Sequence, residues 1–504
     1  MLLTGCTSAV DHDKNSALAS SGKPVSGGTL KCAIADDLVP ANLFTNALTS
    51  ITLLVGLVYE SLIRYRNDKV EPEPRLATSW KLSDDGLTLT LQLRRGVKFH
   101  SGREFTSADV AFSIQTYAAK KWSGQERSTA AAIKGVDTSD PYTAVLHLEH
   151  VMSNIFDVLD TIFIVDKDTI DGLTSGKQYV GTGPFKFASW SPNASLVFTK
   201  NENYWQAGLP YLDGVRASIV PDATSRLAQL KSGQVHWAAS LAFSDVKTLS
   251  TNSSYKVIRL TGAENQTYVG ANLNAKPLDD LRVRQGIAYA IDRDRIMSEV
   301  FKGSGYAVNL PWPKYSSAWD ADKNKRYAYD AKKAKALIQQ VGSIPTIPYT
   351  YPTNVPAHAS VAQIVQSNLA DVGIKVSLDP VDAASFTSQL IGAKFRGLWT
   401  TYHSWAQYTP STLTVSAYPF NAAHNASHYS SATYSKNANA AWQIADGKSP
   451  AAVSRYGALS DDLLNALFLI EIGVVELNWV TTSKLKNVSY TKRAELDVTR
   501  AYLA

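Results

Sequence analysis

Cysteine is almost missing from this chain: among 504 residues only Cys6 and Cys32 occur. That scarcity excludes a disulfide-stapled scaffold, and no C-x-x-C pair is available for redox work or a thiolate metal site. Long hydrophobic runs are missing too. The longest, residues 51–59, is far short of the roughly 20 residues that span a bilayer as a helix. Charge of one sign is nowhere concentrated, because 50 Lys and Arg are interspersed with 44 Asp and Glu and no run of five basic residues occurs. Nucleic-acid binders gather basic charge on one face, so nucleic acid is not an expected partner. Catalytic signatures are also lacking. The chain has no G-x-S-x-G, no H-E-x-x-H and neither a phosphate-cradling P-loop nor a dinucleotide fingerprint. Glu71 and Glu73 flank Pro72 just ahead of Pro74 and read as a surface loop rather than a catalytic pair.

What remains is the composition of a globular protein, 45% apolar and 19% charged, with 20 Pro and 29 Gly spread along its length. A chain this long builds its core without staples, as roughly three units or as two large lobes with insertions. Leu3-Thr4-Gly5-Cys6 reads as a bacterial lipobox, in which small residues ahead of a cysteine allow cleavage and lipid capping of the thiol. Only Met1-Leu2 precede it, so the basic start and apolar core of a signal peptide are not in the sequence. The stretch after it, residues 7–28, is rich in Ser, Ala, Gly, Asp and Lys and reads as a solvated tether. Cys32, in the apolar run 30–35, is expected as a buried strand thiol. Lipidation of Cys6 leaves it no disulfide partner, and makes the lipid the membrane attachment.

Strand and helix signals alternate, without repeats. Leu87, Leu89, Leu91 and Leu93 alternate with Thr88, Thr90 and Gln92, which predicts a half-buried strand after the turn at Asp85-Gly86. Residues 142–148 predict another. Thr106 is placed to cap a helix over 107–120, with Asp109 three positions on and Val110, Ile114 and Tyr117 as its apolar stripe. Asp330 caps a helix that Gly342 ends; residues 361–369 form another that leads through Gly373 into a strand at 374–378. Beyond about residue 265, helices and strands alternate as in an α/β lobe, while the first half carries more hairpins.

Six stretches, in order, carry a resemblance. They are Val58-Tyr59-Glu60-Ser61-Leu62, Leu76-Ala77-Thr78-Ser79-Trp80, and Leu93-Arg94-Arg95-Gly96-Val97-Lys98-Phe99-His100-Ser101-Gly102. Gly181-Thr182-Gly183-Pro184-Phe185 and Asn201-Glu202-Asn203-Tyr204-Trp205 follow, and Val283-Arg284-Gln285-Gly286-Ile287-Ala288-Tyr289-Ala290-Ile291-Asp292-Arg293 completes the set. Together they resemble the family five extracellular solute-binding proteins, the peptide, nickel and opine binders of ABC importers. The resemblance implies an α/β, two-lobed periplasmic-binding-protein-like (Venus flytrap) fold with an extra subdomain in lobe one. It places lobe one at 27–264 with the subdomain at about 70–180, lobe two at 265–475, and a return to lobe one over 476–504, after a tether at 1–26. It also implies a monomer without cofactor or metal, anchored on the outer side of the cytoplasmic membrane, that closes on a small solute and hands it to an ABC permease. The competing class is a secreted hydrolase of small peptides or glycosides, which product analysis would separate from a binder.

The motifs themselves read as structure. Gly181 and Gly183 suit a turn needing positive φ, Val283, Ile287 and Ile291 a buried helix stripe, and Arg282 and Arg284 its solvated face. Residues 395–445 read differently. They hold no Asp or Glu, only Arg396 and Lys436 as strong bases, and a crowd of aromatics with three histidines, His403, His424 and His428. Such rings supply apolar area with a polar edge, the usual lining of a ligand cleft. Trp399, Tyr402, His403, Trp405, Gln407 and Tyr408 are therefore the candidate ligand contacts, with Arg396 as a fork for a carboxylate or phosphate. The run from Tyr402 to Tyr408 fits neither strand nor helix periodicity and is expected as an irregular, exposed loop. Peptide-binding members carry an aspartate near the corresponding Trp for the ligand ammonium; here Trp405-Ala406-Gln407-Tyr408-Thr409-Pro410 has none. A sugar-bearing, opine-like or otherwise neutral-to-anionic ligand is expected, unless Asp36 or Asp37 supplies the charge.

Overall fold

The computed structural model describes residues 23–504 apart from 46, 47, 66, 68 and 123. The lipobox reading of Cys6 lies outside the described residues. Three sheets of four or more strands carry the described fold. Thr29–Ile34 lies at the centre of the first, seven-stranded sheet, parallel to Gly214–Ile219 on one side and to Trp237–Ala238 on the other. Its Leu30, Cys32 and Ile34 are fully buried, as that apolar run requires, and Cys32 is a free thiol that burial pushes up in pKa. Toward one edge the order continues through Ser195–Lys200 to Phe185–Ser191. Toward the other, Asn478–Thr482 slots between Trp237–Ala238 and Tyr255–Arg259, antiparallel to both. A segment near the chain's end is therefore built into the sheet that its beginning nucleates.

The second sheet is a four-stranded antiparallel one, ordered Ala77–Leu82, Thr88–Leu93, Thr143–Leu148, Ile133–Asp140. Leu89, Leu91 and Leu93 bury one face of their strand, while Leu87 falls just outside it and is exposed. The helix Ser107–Ala118 packs on this sheet through Val110, Ile114 and Tyr117, and the Thr106 N–H donates to Asp109 Oδ2 at 3.0 Å as a capping box predicts.

The third sheet has six strands in the order Gly305–Ala307, Leu469–Val475, Asn265–Ala271, Leu398–His403, Ile347–Pro352, Val376–Val381. Helices alternate with its strands. Asp330 Oδ1 accepts from Lys333 N at 2.9 Å to start Ala331–Val341, which stops at Gly342 with φ of 87°. In Leu281–Ala290 the stripe of Val283 and Ile287 is fully buried. Arg282 is exposed and pairs with Asp280, but Arg284 departs from the expected solvated face. It is buried, and its guanidinium donates to the carbonyls of Ala466, Leu278 and Asp279, because the helix is covered on that side as well.

The chain passes from the first sheet to the third at residues 260–264 and back at 476–477. The two passages run side by side, and Leu260 N donates to Leu477 O at 2.9 Å. The longest apolar run of the sequence becomes the buried helix Thr49–Val58, and no helix among the described residues is long and apolar enough to cross a membrane.

Candidate functional site

The motifs shared with the resembled family converge on a carboxylate rather than on a cleft. Glu60 is buried and accepts from Thr182 Oγ1 at 2.9 Å, Tyr204 Oη at 2.9 Å and Trp205 Nε1 at 2.9 Å, and pairs with Arg75 at 2.7 Å. Arg94 lies over the Trp205 ring, 4.2 Å from its centroid. Gly181 and Gly183 serve this knot by close approach and not through positive φ, which neither adopts. A Cβ on Gly181 would collide with the Val58 carbonyl, and one on Gly183 with the carbonyls of Leu57 and Val58.

A cavity of about 250 Å³ opens between the first and third sheets. Both sheets offer it the carboxyl ends of parallel strands, where α/β folds place ligands. Thr29–Ile34 leads to Asp36 and Trp237–Ala238 to Ala239, Ser240 and Leu241 on one side. Ile347–Pro352 leads to Asn354 and His358, and Leu398–His403 ends in Tyr402 and His403, on the other. The passages between sheets line it through Leu260, Ala263 and Leu477, and the chain's last segment adds Lys492 and Arg493.

Of the residues predicted from sequence, Tyr402, His403, Trp405 and Gln407 line this cavity. Trp399, Tyr408 and Arg396 do not. Trp399 is fully buried in the sheet core, stacked on Phe395 at 4.5 Å, where Gly270 leaves room for its ring on the neighbouring strand. Tyr408 is buried away from the cavity and donates from its hydroxyl to Asp160 Oδ2 at 2.9 Å. Arg396 stands in solvent with its side chain 76% exposed, 3.5 Å from Asp379. The expected exposed loop at 402–408 is also corrected: Tyr402 and His403 belong to a strand, and Trp405, Gln407 and Tyr408 are buried. Strand periodicity was masked because both faces of that strand are covered. His403 Nε2 meets Glu471 Oε1 at 3.1 Å and His428 Nε2 meets the Ala393 carbonyl at 2.9 Å, so the histidines of this region serve separate places.

The acid-free composition of 395–445 has its own cause. The helix Pro410–Ser416 is buried at every position and packs against helices of the first half of the chain. Its neighbours there supply the charge. Asp157 accepts from Thr409 N at 3.0 Å, Thr412 Oγ1 at 2.6 Å and Tyr65 Oη at 2.7 Å; Asn154 donates to Thr412 Oγ1 and accepts from Trp442 Nε1. Ser153 and Ser411 meet at 2.8 Å. Burial outweighs these bonds and pushes the Asp157 carboxyl up to about 6. This polar latch joins the helical part of the first half to the second.

Cavity residues that sequence reasoning missed are Trp237, Trp479 and His358. Trp237 and Trp479 meet edge-to-face at 5.2 Å from strands far apart in sequence, which no local pattern announces. His358 packs its ring 4.5 Å from Tyr402 and is pushed down to about 3 by burial, so it is neutral near neutral pH. Asp37 is spent on structure, accepting from Trp190 Nε1 at 2.7 Å and Asn193 N at 2.6 Å. Several buried polar atoms of cavity residues have no hydrogen-bond partner: Asp36 Oδ1, Trp237 Nε1, Tyr402 Oη, His403 Nδ1 and Gln407 Oε1. Buried polar groups are normally satisfied, so such a cluster around one cavity fits a polar occupant.

Two sheets joined by paired passages, with a cavity between them, define a two-lobed binding protein. Comparison with known proteins specifies the class. Residues 71–427 match the model of the bacterial extracellular solute-binding proteins, family 5, and the chain belongs to that family. It is 27% identical to the oligopeptide-binding protein AppA of Bacillus subtilis over 77% of this chain and 76% of that one. It is 30% identical to the heme-binding protein A of Haemophilus influenzae over 64% of each. The match thus takes in between about two thirds and three quarters of these relatives' length. Among solved structures, AgaA of A. tumefacien R10 in complex with agropinic acid superposes with a TM-score of 0.86 at 24% identity, over 95% of this chain and 99% of that one.

Proposed function

We propose that this chain is the substrate-binding component of an ABC importer, which captures one compact polar solute by closing its lobes and delivers it unaltered to a membrane permease. The cavity between the sheets, with its unmet polar atoms, carries the reading. Its size is at the small end for ligand pockets and suits a compact solute better than a long peptide. Tyr402, Trp405, Trp237 and Trp479 supply ring area, while His403, Gln407 and Asp36 set polarity. We take the first and second sheets, with Asn478–Thr482, as lobe one and its subdomain, and the third as lobe two. The chain acts as a monomer, without cofactor, on the outer side of the membrane, held there by a lipid on Cys6.

Closure follows from linkage: a solute that makes contacts only in the closed state shifts the lobes toward it by its differential affinity. Small-angle scattering tests this directly. The radius of gyration falls when a solute retained on the purified protein is restored to the stripped protein; an unchanged radius at saturation would refute lobe closure. For the anchor, Cys6→Ser expressed behind a signal peptide moves to the soluble fraction, and continued membrane retention would refute it.

A further inference from the structure

Asp36 is the one carboxylate among the residues lining the cavity. It is 9% exposed, and its Oδ2 accepts from Ser50 N at 3.0 Å and Ser50 Oγ at 3.2 Å, which fastens the start of the helix Thr49–Val58. That accounts for one oxygen. Oδ1 accepts no hydrogen bond of ordinary geometry, although the Asn354 side chain of the same cavity acts on the carboxyl, and among the described residues Asp36 has no ion pair.

The cations nearby are committed elsewhere. Arg226 acts on Asp36 through space, but its guanidinium donates to the carbonyls of Ala239, Val220, Pro221 and Ser240 at 2.7–3.0 Å. Lys492 donates to the carbonyls of Asn67 and Gly262, and Arg493 to the Thr161 carbonyl and to Glu495. A buried carboxylate with an unused oxygen is unfavourable unless a donor, and best a cation, reaches it. The other unsatisfied polar atoms of the wall are Gln407 Oε1, which accepts, Tyr402 Oη and His403 Nδ1, which can accept or donate, and Trp237 Nε1, which donates, so the occupant carries an acceptor as well as the donor that Asp36 lacks. Trp237, Trp479, Tyr402 and Trp405 line the same cavity, and aromatic rings attract a cation more than a neutral donor.

We infer that the solute carries a protonated amine and that Asp36 is the residue that selects it, with the aromatic wall taking the body of the molecule. This rests on the binding-protein reading and narrows it. It replaces the neutral-to-anionic ligand that the acid-free segment 395–445 alone suggests, because the charge comes from the other lobe. Burial pushes the Asp36 carboxyl up, with Ser50 and Asn354 acting against that shift. An amine bound there holds the group ionised, and its own N–H groups supply the missing donors.

The test is calorimetry on the full chain with a panel of free dipeptides and small primary amines, each paired with its N-acetylated form, and with neutral sugars as a third arm. Wild type is compared with Asp36→Asn, which keeps an oxygen for Ser50. The expected result is a free amine that binds wild type, loses about 100-fold on acetylation, and loses about as much against Asp36→Asn, the size seen when one partner of a buried charge pair is removed. A thermal melt of the unliganded variant close to wild type shows that the fold survives; Asp36→Ser is the second variant should Asn not fold. Equal binding of acetylated forms, or of sugars, with Asp36→Asn unaffected, overturns the amine while leaving the binding protein intact. No binding by any arm, together with no solute retained on purified protein, overturns both.

Discussion

Glu60 and Asp36 are both buried carboxylates of the first half of the chain, 4% and 9% exposed, and they are treated in opposite ways. Glu60 is surrounded by donors, four of them, three drawn from motifs far apart in the sequence. Asp36 has one oxygen fastened to Ser50 and the other left without a bond. A carboxylate that holds a scaffold together is saturated by the scaffold. One left short inside a cavity wall keeps an oxygen available to an occupant. The family motifs therefore mark the saturated place, and the amine inferred above would bind at the unsaturated one.

The largest effect separating the two is expected at Glu60. Glu60→Ala leaves Arg75 without its partner and three further donors unmet, so denaturant unfolding should show a loss of about 3–5 kcal/mol, the range for breaking one side of a buried pair. In contrast, Asp36→Asn should change the same unfolding free energy by less than about 1 kcal/mol, within the effect of a single hydrogen bond. A large loss at Asp36 would erase the contrast.

The latch between the halves stands between these extremes. Thr412→Val removes the short bond to Asp157 and the acceptor for Asn154, for an expected loss of about 1–3 kcal/mol in urea unfolding. Asp157 also carries a pH signature. Its pKa in the fold is about 6, above its value in the unfolded chain, so from pH 4 to 6 the native state holds the proton more tightly and stability falls as pH rises. Asp157→Asn, whatever its overall cost, should flatten that part of the stability-versus-pH curve; an unchanged slope would assign it to other groups. The smallest effect is expected at Arg396, exposed and 3.5 Å from Asp379: Arg396→Ala should change stability by less than about 0.5 kcal/mol and leave solute affinity unchanged in calorimetry.

Much of the fold was legible because local rules act locally. Asp330 with Gly342, Thr106 with Asp109, and the leucines at 89, 91 and 93 each announce an element through capping or alternation, and the structure has those elements. The lining of the cavity was half legible. A segment rich in rings pointed to Tyr402, His403, Trp405 and Gln407, but the same composition described Trp399 and Tyr408, which face the sheet core and Asp160. Ring content marks burial, and burial is common to core and cleft. Trp237 and Trp479 escaped notice because their meeting depends on the return of the chain to its first sheet, a long-range pairing without a local trace. Arg284 escaped because helical spacing tells which residues share a face, not how many faces are covered.

The bond between Leu260 and Leu477 turns the two passages between the sheets into a single ribbon. A body joined to another by two adjacent short passages swings about them once the latch at Asp157 opens, with little freedom to slide or to move apart. Relative motion then reduces largely to one angle, and that angle sets every distance from lobe to lobe at once. With the lobe closure proposed above, any single inter-lobe span, read by a pair of fluorophores on the surface, would report whether the cavity is filled. The identity of the solute is erased from that signal: discrimination is completed inside the cavity, and only one bit, open or shut, is displayed outside.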